Sequence, residues 1–176
     1  MEPQLSELQS QLNALTAEAK QLFAAQSEEV LLRRPANGGW SAAECLEHLA
    51  KTAFNFKDIF DSAMKDAPKG KGPYKRDFKG RLLSWVLRPP FWLKVKTRPM
   101  VEPQNVASAK KALEDFIASQ QMLAEYIGKT DGLALEQIMI QSPFDARIVY
   151  NLYSCFDIQV SHVMRHLVQA RNALKQ

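Results

Sequence analysis

Apolar positions in the first part of the chain recur in alternating steps of three and four: Leu5, Leu8, Leu12, Leu15, Ala19 and Leu22. That spacing lays one apolar stripe along a helix and predicts a first helix over about residues 4–26. "RRPANGG" ends it, because Pro and consecutive Gly oppose helix continuation. The next stretch, "GWSAAECLEHLAKTAF", opens with Ser41 followed three residues later by Glu44. This is a capping box, in which the Ser41 hydroxyl and the Glu44 carboxylate satisfy each other's free amides. Trp40 and Cys45 are placed to pack across it as a hydrophobic staple, and the second helix is predicted to run to about Met64. From residue 67 to 104 Pro and Gly recur and no long helical period survives. Within this connection "GRLLSWVLR" can form a short helix ended by Pro89 and Pro90. A third helix is predicted over residues 105–127, with Gly128 as its stop. "KTDGLALEQIMIQSPFD" then leads into a fourth over residues 146–174, apolar on more than one face and therefore the most buried.

Four long helices and no convincing strand predict an all-α four-helix bundle. A short link makes the first two helices antiparallel neighbours. The second link, roughly 38 residues, far exceeds the few that join an adjacent antiparallel pair. The second and third helices can then run parallel, giving up, down, down, up with a long crossover between them. At 176 residues the chain is read as a single domain over 1–176.

Composition narrows the class. An apolar fraction of 46% and a charged fraction of 24% suit a soluble globular chain. No apolar run is long enough to cross a bilayer, and "MEPQLSELQS" lacks the basic and apolar regions of a secretory signal, so a cytoplasmic location is expected. Cys45 and Cys155 show neither zinc spacing nor a disulfide framework and are expected to be buried thiols. The net charge of +4 conceals a strong asymmetry. Residues 69–98 carry ten cations against Asp77 alone, a local +9 that leaves −5 on the remainder. Within that segment Trp85, Phe91 and Trp92 alternate with Lys and Arg. Such a mixture suits an anionic surface, an ordered crossover that attracts an anionic substrate, or a solvated loop whose aromatics pack on the bundle. No nucleic-acid-binding motif accompanies it, and no nucleic acid partner is expected.

The chain has three histidines. His162 and His166 are one helical turn apart and leave the same face, so both can reach one ion. His48 lies seven residues after Ser41, about 10 Å along its helix, while the pair lies about 12–18 Å before Leu174 on a helix running the other way. Matched depth lets a third imidazole face the pair. Three imidazoles with a position left open is the arrangement of a catalytic rather than a structural metal. Glu44, Thr52 and Gln159 stand at helical spacings from these rings as candidate second-layer partners. The capping box already accounts for Glu44, and Thr52 and Gln159 suit buried bundle polars equally well.

"GGWSAAECLEHLA", followed about 110 residues later by "SHVMRHLVQARNAL" with "KTRP" and "QSPFDARIVYNLYS" between, resembles the DinB/YfiT-like superfamily and its DinB_2-like branch. The resemblance spans nearly the whole chain. It implies a four-helix bundle with metal ligands His48, His162 and His166 and a divalent transition ion, nickel or zinc ahead of iron or manganese. It further implies a hydrolase or a transferase using a low-molecular-weight thiol such as mycothiol or bacillithiol. A metal-activated water or thiol would be the nucleophile, the substrate a small molecule, and a homodimer the expected assembly. The competing reading is a non-catalytic stress-response bundle that binds metal or a small ligand, its basic, aromatic crossover meeting an anionic surface.

Overall fold

The computed structural model describes residues 1–89 and 97–175. Four long helices dominate: α1 (Pro3–Ala24), α3 (Ala42–Phe54), α6 (Ala109–Lys129) and α7 (Leu152–Ala173). Between them lie α2 (Glu28–Leu32), α4 (Lys57–Met64), α5 (Phe78–Leu87), a 3-10 turn (Pro99–Val101) and a hairpin, β1 (Met139–Ser142) and β2 (Asp145–Asn151). Each helix of the bundle starts where local chemistry dictates. Ser41 Oγ accepts from the Glu44 amide and Glu44 from the Ser41 amide, closing the capping box. Ser108 and Asn151 cap α6 and α7 through side-chain oxygens.

The hairpin corrects the expectation of a wholly helical chain. Residues 146–151, assigned by pattern to the fourth helix, form β2 instead. Ile148, Val149 and Tyr150 are stiff or bulky at χ1 and suit a pleated surface. Tyr150 pairs with Ile140, burying both in the core, and Asn151 then caps α7. Other boundaries shift for local reasons. The second predicted helix breaks at Asn55, whose side chain donates back to the Lys51 carbonyl, leaving α3 and α4 as separate pieces. Asn105 adopts φ +52°, outside the helical range, so α6 begins at Ala109 and not at 105. Gly128 does not stop α6, which ends one residue later with Thr130 as cap. Ser27 caps the unforeseen α2. The short helix expected inside the crossover is present as α5; Pro90, Phe91 and Trp92 fall outside the described residues.

Apolar stripes from the four long helices meet in two core clusters. One gathers Leu5, Leu8 and Leu12 of α1 with Phe56, Phe60, Leu123, Phe156 and the hairpin. The other joins Phe23, Leu46, Leu49, Phe116, Val163 and Leu167. His162 sits where one cluster gives way to the other along α7, between Val160 and Val163, and His48 lies between Leu46 and Leu49 of the second cluster. Cross-links fix how the helices run past each other. Gln9 donates to the Ala124 carbonyl (2.6 Å) and the Ala109 amide to Glu28 (2.7 Å), at opposite ends of α6. Gln4 reaches Tyr153 (3.2 Å) and Arg171 reaches Glu18 (2.8 Å), at opposite ends of α7.

Within the crossover, α5 lies on α7 at very short range. A Cβ at Gly80 would fall 2.2 Å from Ser154 Oγ, so only glycine permits this approach. Asp77 caps α5 and accepts from Ser154 Oγ (2.6 Å). Buried Asp157 of α7 takes Arg76 (2.9 Å), Arg88 (2.8 Å) and the Ser84 hydroxyl.

Candidate metal centre

The α3 cap sets the height of His48. Glu44, one turn before it, closes the capping box and receives Arg34 Nε on both oxygens (2.8 and 2.9 Å), so the first turn is clamped from outside. On α7, the turn spacing of His162 and His166 brings both rings toward α3. The ring centroids lie 5.0 Å (His48 to His162), 4.6 Å (His48 to His166) and 4.6 Å (His162 to His166) apart. One nitrogen from each ring lies within 4.8 Å of the others.

Hydrogen bonding decides which nitrogen His48 offers. Its Nδ1 stands 2.8 Å from the Val101 carbonyl, which can only accept, so Nδ1 carries the proton and Nε2 the lone pair. That Nε2 faces His162 Nε2 at 3.1 Å. Two donors on one ion at ~2.0–2.1 Å subtend roughly 95–102° at this separation, between octahedral and tetrahedral angles. Closing the widest separation in the cluster takes ring movements of about an ångström. His166 Nδ1 is buried and makes no hydrogen bond of good geometry. The donor set therefore fits a transition ion, which takes neutral imidazole readily.

Electrostatics keep the rings in that form. Burial is the first cause that lowers the pKa of each histidine. The Val101 carbonyl opposes the shift at His48, while Lys51 adds to it. At His162 the neighbouring imidazoles and Arg165 push in the same direction as burial. At His166, His48 and Arg165 do so, against a smaller opposing effect of Gln169. His48 and His166 are buried, whereas His162 is half-buried and opens the cluster toward solvent. Trp40, immediately before the cap, stacks on His166 (5.7 Å, 22°) and leans on His48 (4.9 Å), forming an aromatic wall.

The other named candidates are placed differently. Among the described residues no hydrogen bond joins Glu44, Thr52 or Gln159 to the three rings. Glu44 is occupied by its cap and Arg34, buried Thr52 has no partner for Oγ1, and Gln159 lies beside Cys155. Both cysteines are unpaired and buried, and burial pushes both thiols up, away from reactivity. Sequence reasoning missed Val101, because a backbone carbonyl delivered by a crossover leaves no side-chain signal. Trp40 was visible as a staple residue, but its contact with the imidazoles was not.

Fold and cluster together define a class: a helical bundle presenting three neutral imidazoles from two helices to a single point. The chain belongs to the DinB superfamily, whose family model matches residues 11–170. Among solved structures it is similar to YfiT from Bacillus subtilis, a probable metal-dependent hydrolase with an unusual four-helix bundle topology. The two share 15% identity and a TM-score of 0.62, over 97% of this chain and 86% of YfiT. Likeness at that identity speaks for the fold. No curated protein matches the chain in sequence.

Proposed function

We propose that this chain is a metal-dependent hydrolase, or a transferase using a low-molecular-weight thiol, whose divalent ion is held by His48, His162 and His166. One observation carries the reading: three imidazoles from two helices, two of them buried and His162 half-buried, converge with donor atoms within 4.8 Å, and their surroundings favour the neutral form. The description of YfiT as a probable metal-dependent hydrolase supports the reaction class. A bound divalent ion would supply Lewis acidity, polarising a substrate carbonyl and lowering the pKa of water or a thiol toward neutrality. The chain's own residues do the rest. Val101 holds His48 in the tautomer that offers Nε2. Trp40 shields His48 and His166, and half-buried His162 leaves the approach for a small substrate.

The same reading places residues 1–176 in one domain, with a cytoplasmic location, a homodimer, and nickel or zinc as the ion. An up, down, down, up order is supported by the contacts of Gln9, Glu28, Gln4 and Glu18, which set α1 against α6 and along α7. Metal analysis of protein purified without a histidine tag tests the centre. The wild type should carry close to one transition ion per chain and His48→Ala should lose it; equal metal content in the two would end the proposal. Screening the loaded protein against esters, amides and thiol–electrophile pairs tests the chemistry, and turnover should vanish in His162→Ala. Uniform inactivity would leave a bundle that binds without turning over.

A further inference from the structure

Helix α5 is amphipathic in the reverse sense. Against α7 it places Gly80 and Ser84, the latter 1% exposed, while Phe78 (72%), Leu82 (49%) and Trp85 (64%) face outward. Spacings of four and three put those three side chains on one face. A helix free to choose would turn that face inward. It cannot roll, because Gly80 is seated on Ser154 and Asp157 holds Ser84, Arg76 and Arg88. Turning it would strip a buried carboxylate of its partners, leaving an uncompensated buried charge. The apolar face is therefore fixed outside by design of the inner one.

Cations flank this face. Lys79 and Arg81 are exposed on α5 itself, and a cleft of about 550 Å³ beside it is lined by Lys75, Arg76, Arg81 and Arg88. The acids within reach, Asp77, Asp157 and Glu136, are engaged by the cap, by Arg76 and Arg88, and by the Lys75 amide. We infer that α5 with its flanking cations is a docking surface for an anionic lipid bilayer, the apolar side chains entering the interface and the cations meeting headgroup phosphates. Charge decides between occupants. A second copy of the chain would bring one basic segment against another. A polynucleotide would satisfy the cations but offers Leu82 no hydrocarbon. An anionic bilayer supplies both, and Trp and Phe favour its interfacial zone. Docking of this kind is peripheral, since no helix among the described residues is long and apolar enough to cross a membrane.

Co-sedimentation of the metal-loaded protein with vesicles tests this. Binding is expected to phosphatidylcholine vesicles containing phosphatidylserine, to weaken as salt rises, and to be absent with phosphatidylcholine alone. Both F78S/L82S/W85S and K79E/R81E should lower partitioning by roughly tenfold or more, with helicity and metal content retained. Should the triple variant fail to fold, the charge-reversal pair, exposed at both positions, decides alone. No binding of wild type at low salt overturns the inference. So does binding of single-stranded polyuridylate without vesicle binding, or a dimer that F78S/L82S/W85S converts to a monomer in the absence of any lipid affinity.

Discussion

His48 uses both ring nitrogens, one on the Val101 carbonyl and one toward His162. A ring engaged on both sides is held in one orientation, as the proposed ligand role requires. In the metal-free protein the same burial has a measurable cost. The folded pKa of each buried imidazole is lowered, whereas the unfolded chain takes up protons near the ordinary histidine value of about 6.5. Below that pH the unfolded state binds more protons than the folded one, so stability is lost as pH falls through about 6.5 and is level above it. Urea midpoints of the metal-free protein from pH 8 down to 5 should follow this course, and His166→Gln should flatten the slope. A slope unchanged by that substitution would show that His166 titrates alike folded and unfolded. His48 and the His162/His166 pair were legible because helical spacing and a cap fix their directions. The Val101 carbonyl was not, since no side chain at position 101 announces it.

At the level of elements, the long apolar stripes and the capping box were readable, whereas the short α2, the hairpin and the helix breaks were not. Ser41 and Glu44 announce α3 within four residues, and nothing distant overrides them. The hairpin was hidden because Ile148, Val149 and Tyr150 run straight into the apolar pattern of α7. Only the pairing of Tyr150 with Ile140, a tertiary fact, separates strand from helix. The break between α3 and α4 was equally opaque: a single Asn55 side chain folding back on Lys51 leaves the period intact. Close seating of α5 on α7 yields a sharp expectation. Gly80→Val places new carbon where Ser154 already stands, and overpacking of this sort costs about 1–3 kcal/mol. The urea midpoint should fall accordingly, and hydrogen exchange should show α5 losing protection before α3 or α6. Uniform loss across the bundle would mean that α5 is not a separable latch.

For the molecule as a whole, two helices, α3 and α7, each deliver part of one imidazole cluster, and His48 and His162 are 114 residues apart in sequence. An ion that binds this folded cluster and not the open chain stabilises by mass action, about 2.7 kcal/mol at a hundredfold excess over Kd. Adding nickel or zinc should therefore raise the melting temperature in a concentration-dependent way, a chelator should reverse it, and His48→Ala should abolish it. Equal shifts in wild type and variant would place the ion elsewhere. The sequence separation carries a further consequence. An unfolded chain retains the His162/His166 pair as neighbours, but bringing His48 to them means closing a very long loop, at an entropic cost the native fold has already met. An ion held there would thus act as a reversible staple between distant parts of the polypeptide, one that acid or a chelator would open.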